Sequence, residues 1–77
     1  MNLHQLRVFC SVVEERSFRH AAEKLFLSQP SVSQHIASLE KGNNIRLFER
    51  KGRSISLTPE GRALYVLASD LLRQADE

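Results

Sequence analysis

A chain of 77 residues with a formal net charge of +2 has room for one small core, and none for a walled substrate pocket. Its composition, 42% hydrophobic and 26% charged with three glycines and two prolines, is that of an ordinary globular domain, and its apolar runs fall far short of the roughly 20 residues of a membrane helix. The single cysteine, Cys10, excludes an internal disulfide, while His4, His20 and His35, separated by 16 and 15 residues, match no compact zinc pattern, so neither metal nor other cofactor is expected and the compartment is read as cytoplasmic.

Asn2 is a good N-cap, and Leu6, Phe9 and Val13, flanked by Leu3 and Cys10, recur at helical spacing, which predicts a helix over 3–15. Ser17 caps a shorter second helix whose inner face carries Phe18, Ala21, Ala22 and Leu25; the paired alanines let another helix approach closely. Phe26-Leu27-Ser28 then makes a tight connection. Ser28 is the N-cap of a third helix, with Pro30 in the first turn, where a missing N–H costs nothing.

In that third helix Val32, Ile36 and Leu39 form the inner stripe, and Ser31, Ser33, Gln34, His35 and Ser38 face outward. Serine is a poorer helix former than glutamate or lysine by a few tenths of a kcal/mol, so this polar, almost uncharged face serves something other than helix stability. Short hydroxyls and amides suit contact with base edges in a major groove. The pattern breaks at Gly42-Asn43-Asn44, where the helix is expected to stop.

Residues 45–50 and the alternating Ile55-Ser56-Leu57 flank a basic turn, Lys51-Gly52-Arg53-Ser54, and predict a two-stranded wing. Between residues 46 and 62, five basic side chains (Arg46, Arg50, Lys51, Arg53 and Arg62) stand against Glu49 and Glu60, a local positive patch that charge alone does not distinguish from a solvated stretch. Thr58 caps the last helix and Pro59 takes its first position. Its apolar stripe of Leu64, Leu67, Ala68, Leu71 and Ala75 is widened by Tyr65, Val66 and Leu72 and is longer than one small core needs; a partner helix is favoured over a plain core helix.

The expected fold is therefore mainly α, a winged helix-turn-helix with a three-helix core, a two-stranded wing and a long C-terminal helix. The same fold can serve as a protein-interaction module, which calls for an apolar or acidic third-helix face; here that face is small, polar and bordered by arginines. An enzyme is disfavoured, since no serine, histidine and acid set comes with a pocket and no glycine-rich phosphate loop is present.

The chain resembles the N-terminal part of LysR-type transcription regulators. The resemblance rests on Leu6 and Phe9, Ser17-Phe18, Ala21-Ala22, Leu25, the run Ser28-Gln29-Pro30-Ser31-Val32-Ser33-Gln34-His35-Ile36, Leu39-Glu40, Leu47-Phe48-Glu49-Arg50, Arg53, Leu57-Thr58 and Gly61. One region departs from the family pattern: Asn43-Asn44 stands where the family usually has Leu-Gly, which implies lower stability, a shifted helix end or a local adaptation there.

The resemblance implies that residues 1–58 read double-stranded DNA through a recognition helix of about 29–41 and that residues 59–77 form a linker and dimerisation helix. Gln29, Pro30, Ser31, Ser33 and Gln34 would face the major groove. Ser28, Arg50 and Thr58 would meet the phosphate backbone, and Arg53 the minor groove. His35 is left between a solvent-facing residue and a phosphate contact. Leu64, Leu67, Ala68, Leu71, Leu72 and Ala75 would pair two subunits on an interrupted inverted repeat, with a tetramer as the larger assembly. The family's effector-binding domain is not in this sequence, so any small-molecule effector would act through that domain.

Overall fold

The computed structural model describes residues 1–76. Helices in a chain this small must satisfy their own ends, and all four begin on a side-chain cap. Asn2 Oδ1 accepts from the Gln5 N–H at 2.8 Å to start α1 (Leu3–Glu15). Ser17 Oγ accepts from the His20 N–H at 3.0 Å at α2 (Phe18–Leu25), and Ser28 Oγ from the Ser31 N–H at 3.1 Å at α3 (Gln29–Asn43). At α4 (Pro59–Asp76) Thr58 Oγ1 accepts from the Gly61 N–H at 2.9 Å.

The first three helices end on residues with left-handed backbone angles, Arg16 at φ 54°, Phe26 at 58° and Asn44 at 54°. At α2 the Phe26 N–H closes onto Ala22 and Glu23, and the Leu27 N–H returns to the Ala22 carbonyl at 2.9 Å, which uses the last free carbonyls of the helix. Phe26 is 96% exposed, so its ring adds no packing to offset the strain of that conformation. Phe26→Gly is accordingly expected to raise stability by about 0.5 to 1 kcal/mol. Urea melts check it: a higher midpoint with an unchanged slope agrees, and a lower midpoint would mean that Phe26 packs.

Asn44 ends α3, so the helix runs through Gly42 and Asn43, beyond the break expected at Gly42. Two contacts explain the extension. Asn43 Nδ2 donates to the Leu39 carbonyl at 2.8 Å, and the Ile45 N–H closes onto the Glu40 carbonyl at 3.0 Å, with Asn44 supplying the left-handed turn that glycine would otherwise provide.

The wing consists of β1 (Phe48–Lys51) paired antiparallel with β2 (Ser54–Leu57), from Phe48 opposite Leu57 to Lys51 opposite Ser54. Gly52 at φ 61° is the first of the two turn residues, a position where other residues are strained. The strand expected from Ile45 begins three residues later. Residues 45–47 are held by the ends of two helices instead: the Leu47 N–H donates to Glu40 Oε2 at 2.7 Å, and the Leu47 carbonyl accepts from the Thr58 N–H at 3.0 Å.

One core joins all of these elements. Val8, Phe9 and Val12 of α1, Ala21 of α2, Val32 and Leu39 of α3, and Leu47 are almost wholly buried. Phe48 links the wing to it, with its ring 5.6 Å from Phe9 and 5.7 Å from Phe18, in aromatic contact range. Ala68 and Leu72 of α4 are buried in the same core, which corrects their assignment to a dimer face: both are turned inward within the chain. Leu64 is half-buried with them, whereas Leu67, Leu71 and Ala75 are exposed. Helix α4 is also tied along α1 at its surface. Tyr65 donates to Glu14 at 2.9 Å, and Arg7 makes a two-pronged pair with Asp76 at 2.9 and 2.7 Å that holds the Asp76 carboxyl below its usual range.

Cys10 is buried in this core. Burial, and then the nearby Glu14 charge, push its thiol up to about 11, so at neutral pH it is protonated and packs as a small apolar group.

Candidate nucleic-acid interface

A helix that reads DNA needs an open N-terminal half, a firm seat and cations beside it. The seat is α2. Its Ala21 and Ala22 have no bulk to hold α3 away, so the two helices pack closely across the Phe26-Leu27-Ser28 turn. On α3, Gln29, Pro30 and Gln34 are exposed and Ser33 is half-buried. Ser31 and His35, one turn apart, are half-buried on the side that meets α1, where His35 touches His4. His35 is therefore partly covered by α1 and partly open to solvent. Ser28 is exposed; its hydroxyl oxygen accepts the cap bond of α3, which leaves its O–H available to donate.

The wing brings cations to this helix. Alternation along β1 puts Arg50 on the same face as Phe48, and its guanidinium lies 4.7 Å above the Phe18 ring, so an aromatic face on α2 orients a charge from the wing. A cleft opens between the start of α2, the start of α3 and the wing. Its walls include Gln29, Arg50, Arg53 at the turn and two further arginines, Arg16 and Arg19. Across the neighbouring surface, Ser33 and Ala37 of α3 share a second depression with Arg46 and Arg50. The row Gln29, Ser33, Ala37 therefore runs along the arginine side of α3.

Among the described residues the ion pairs are Arg7–Asp76, Lys24–Glu15 and Arg73–Asp70, and none of them involves the arginines of this cleft. Four guanidinium groups free of ion pairs among the described residues make the cleft electropositive. Arg16 and Arg19 escaped the sequence reading because they lie about thirty residues from the basic wing. The signal that could have found them is local: Arg16 directly precedes the Ser17 cap and Arg19 lies in the first turn of α2, the helix that crosses the backbone in a helix-turn-helix.

Thr58 is not part of this surface. It is 5% exposed, its hydroxyl donates to the Arg46 carbonyl and accepts from the Gly61 N–H, and its expected contact with the phosphate backbone is corrected to an internal latch. The cap uses a lone pair of the hydroxyl, and its one O–H is spent on the Arg46 carbonyl, so none is left to donate to a phosphate.

A family model described as bacterial regulatory helix-turn-helix protein, lysR family, matches residues 3–62. The transcriptional regulator BenM of Acinetobacter baylyi is 46% identical over 77 residues, all of this chain and 25% of its own length. CitR of Bacillus subtilis is 50% identical over 72 residues, 94% of this chain and again 25% of the relative. The chain thus spans about a quarter of the length of these relatives. Among solved structures, the BenM DNA-binding domain in complex with catB site 1 DNA superposes with a TM-score of 0.95 at 46% identity, over 99% of this chain and 85% of that one. With a family model that covers most of the chain and a fold shared throughout, this chain belongs to the LysR family of bacterial regulatory helix-turn-helix proteins.

Proposed function

We propose that this chain is the DNA-reading head of a transcription regulator, which seats residues 29–41 of α3 in the major groove and sets Arg53 against the minor groove. The observation that carries this reading is the ring of unpaired arginines, Arg16, Arg19, Arg50 and Arg53, around the start of a helix whose outer face is amide and hydroxyl. Guanidinium groups hold phosphates and fix register, while Gln29, Ser33 and Gln34 present the donors and acceptors that base edges recognise. The BenM domain, similar over nearly the whole chain, has been solved on its DNA site.

Two heads act together in this reading. Val66, Leu67 and Leu71 of α4 are 66%, 67% and 51% exposed, an apolar strip left after Ala68 and Leu72 have gone into the core, and it suits a second copy of the helix. Half-sites about 34 to 36 Å apart, or a multiple of that, would follow from two-fold symmetry. Effector sensing, and any assembly beyond a dimer, would belong to a further domain outside this sequence. The site of action would be the nucleoid in the cytoplasm; among the described residues no helix is long and apolar enough to cross a membrane.

Selection of bound duplexes from a random pool at near-physiological salt tests the reading directly. An interrupted inverted repeat is expected, and a retained fraction without any motif would overturn sequence-specific recognition. The arginines give a second readout: the Arg16→Ala, Arg19→Ala double variant should flatten the plot of log affinity against log salt by about 1.8, at about 0.9 per lost phosphate contact. An unchanged slope would remove both residues from the interface. Gln29→Ala should weaken the selected site by about tenfold and relax preference at one base pair per half-site. Equal losses on selected and random DNA would make Gln29 a backbone contact instead.

A further inference from the structure

In sequence the three histidines are too far apart to suggest a metal, but folding brings two of them together. His4 lies in the first turn of α1 and His35 near the middle of α3, and their ring centroids are 4.8 Å apart, with planes at 82°. His4 is exposed and His35 half-buried, so the pair is open to solvent on one side.

This separation, within the range of an ordinary ring contact, also matches the spacing of two imidazoles on one metal ion. With metal–nitrogen bonds of about 2.0 to 2.1 Å, each ring centroid sits about 3.2 Å from the ion, and bond angles between square and tetrahedral place the centroids about 4.5 to 5.2 Å apart. The present edge-to-face contact is not itself the liganded arrangement. Rotation of either ring about χ2 leaves its centroid almost in place while redirecting its nitrogens, and that torsion is a soft one in histidine.

We propose that His4 and His35 form a two-imidazole site for a divalent ion of the zinc class, which ties the first turn of α1 to the recognition helix. Imidazole nitrogen selects zinc, nickel and copper over magnesium and calcium, which prefer oxygen. Among the described residues no third histidine, cysteine or carboxylate joins the pair, so water completes the coordination shell. Two protein ligands bind less tightly than the four of a structural zinc site, and the ion exchanges with solvent. The consequence is local. Held by metal, α3 is anchored to α1 at His35, next to the exposed Gln34.

A zinc titration of the 77-residue chain, followed by imidazole NMR signals, tests the site. The His4 and His35 signals should move together and saturate at one ion per chain, while those of His20, beside Arg19, lag behind. His4→Gln and His35→Gln should each weaken zinc binding at least tenfold and abolish the zinc-induced rise in Tm, and His20→Gln should leave both intact. Independent movement of the three histidines, or a single variant that binds zinc within twofold of the parent, would overturn the site. Circular dichroism of the metal-free variants separates loss of a ligand from loss of the fold.

Discussion

Gly61→Ala is expected to cost about 3 kcal/mol or more and to separate the wing from the last helix. Gly61 sits in the first turn of α4, where its N–H donates to Thr58 and its Cα faces the Leu47 carbonyl. A Cβ there would collide with the Leu47 carbonyl oxygen and come within 2.8 Å of Leu57 Cδ2. The leucine side chain can turn away, but the carbonyl cannot. It already accepts from the Thr58 N–H at 3.0 Å, and Leu47 is fully buried. Relief would require breaking the latch that joins residues 46–47 to the start of α4. Gly42→Ala is the control, because nothing lies within 4 Å of its absent Cβ and its place is inside α3. There alanine should stabilise by up to about 1 kcal/mol. Urea denaturation of the two variants reads the contrast, and similar effects at both positions would mean that the close approach at Gly61 does not govern stability.

Glu40→Ala has the second largest expected effect, a loss of about 2 to 3 kcal/mol. Glu40 Oε2 accepts from the Leu47 N–H at 2.7 Å, a charge-assisted bond between the end of the recognition helix and the segment that leads into the wing. Truncation leaves the N–H of a fully buried residue without a partner, and no strand ladder is there to replace it. Glu40→Gln keeps an acceptor in place and should lose less than half as much. Because Phe48 and Arg50 follow Leu47 directly, Glu40→Ala should also weaken DNA binding more than its stability loss alone predicts. Melts paired with affinity at a temperature where both variants are folded make the check, and equal losses from Gln and Ala would exclude the hydrogen bond as the cause.

Asn44 stands where the resemblance leads one to expect glycine, and it takes up the left-handed conformation that ends α3. Asparagine is among the few residues that enter the left-handed region readily, and its N–H still closes onto Lys41 at 3.3 Å. The usual buried leucine is Asn43, exposed and bonded back to its own helix.

Local chemistry is what the sequence determined by itself. Asn2, Ser17, Ser28 and Thr58 cap helices because each side chain reaches an N–H three residues ahead, and the paired alanines and Val32, Ile36 and Leu39 announce their buried faces by spacing. Tertiary packing decided the rest. The stripe on α4 reads as one apolar band, but α1 covers only part of it, so Ala68 and Leu72 enter the core while Leu67 and Leu71 remain outside. Thr58 is legible as a cap, but only packing puts the Arg46 carbonyl where it takes the O–H that a phosphate contact would need. Arg16 and Arg19 join Arg50 and Arg53, and His4 meets His35, across separations of about thirty residues. Periodicity and capping act within a few residues along the chain, whereas a cleft or a ring pair exists only after distant segments have packed, and spacing in sequence carries no record of that distance.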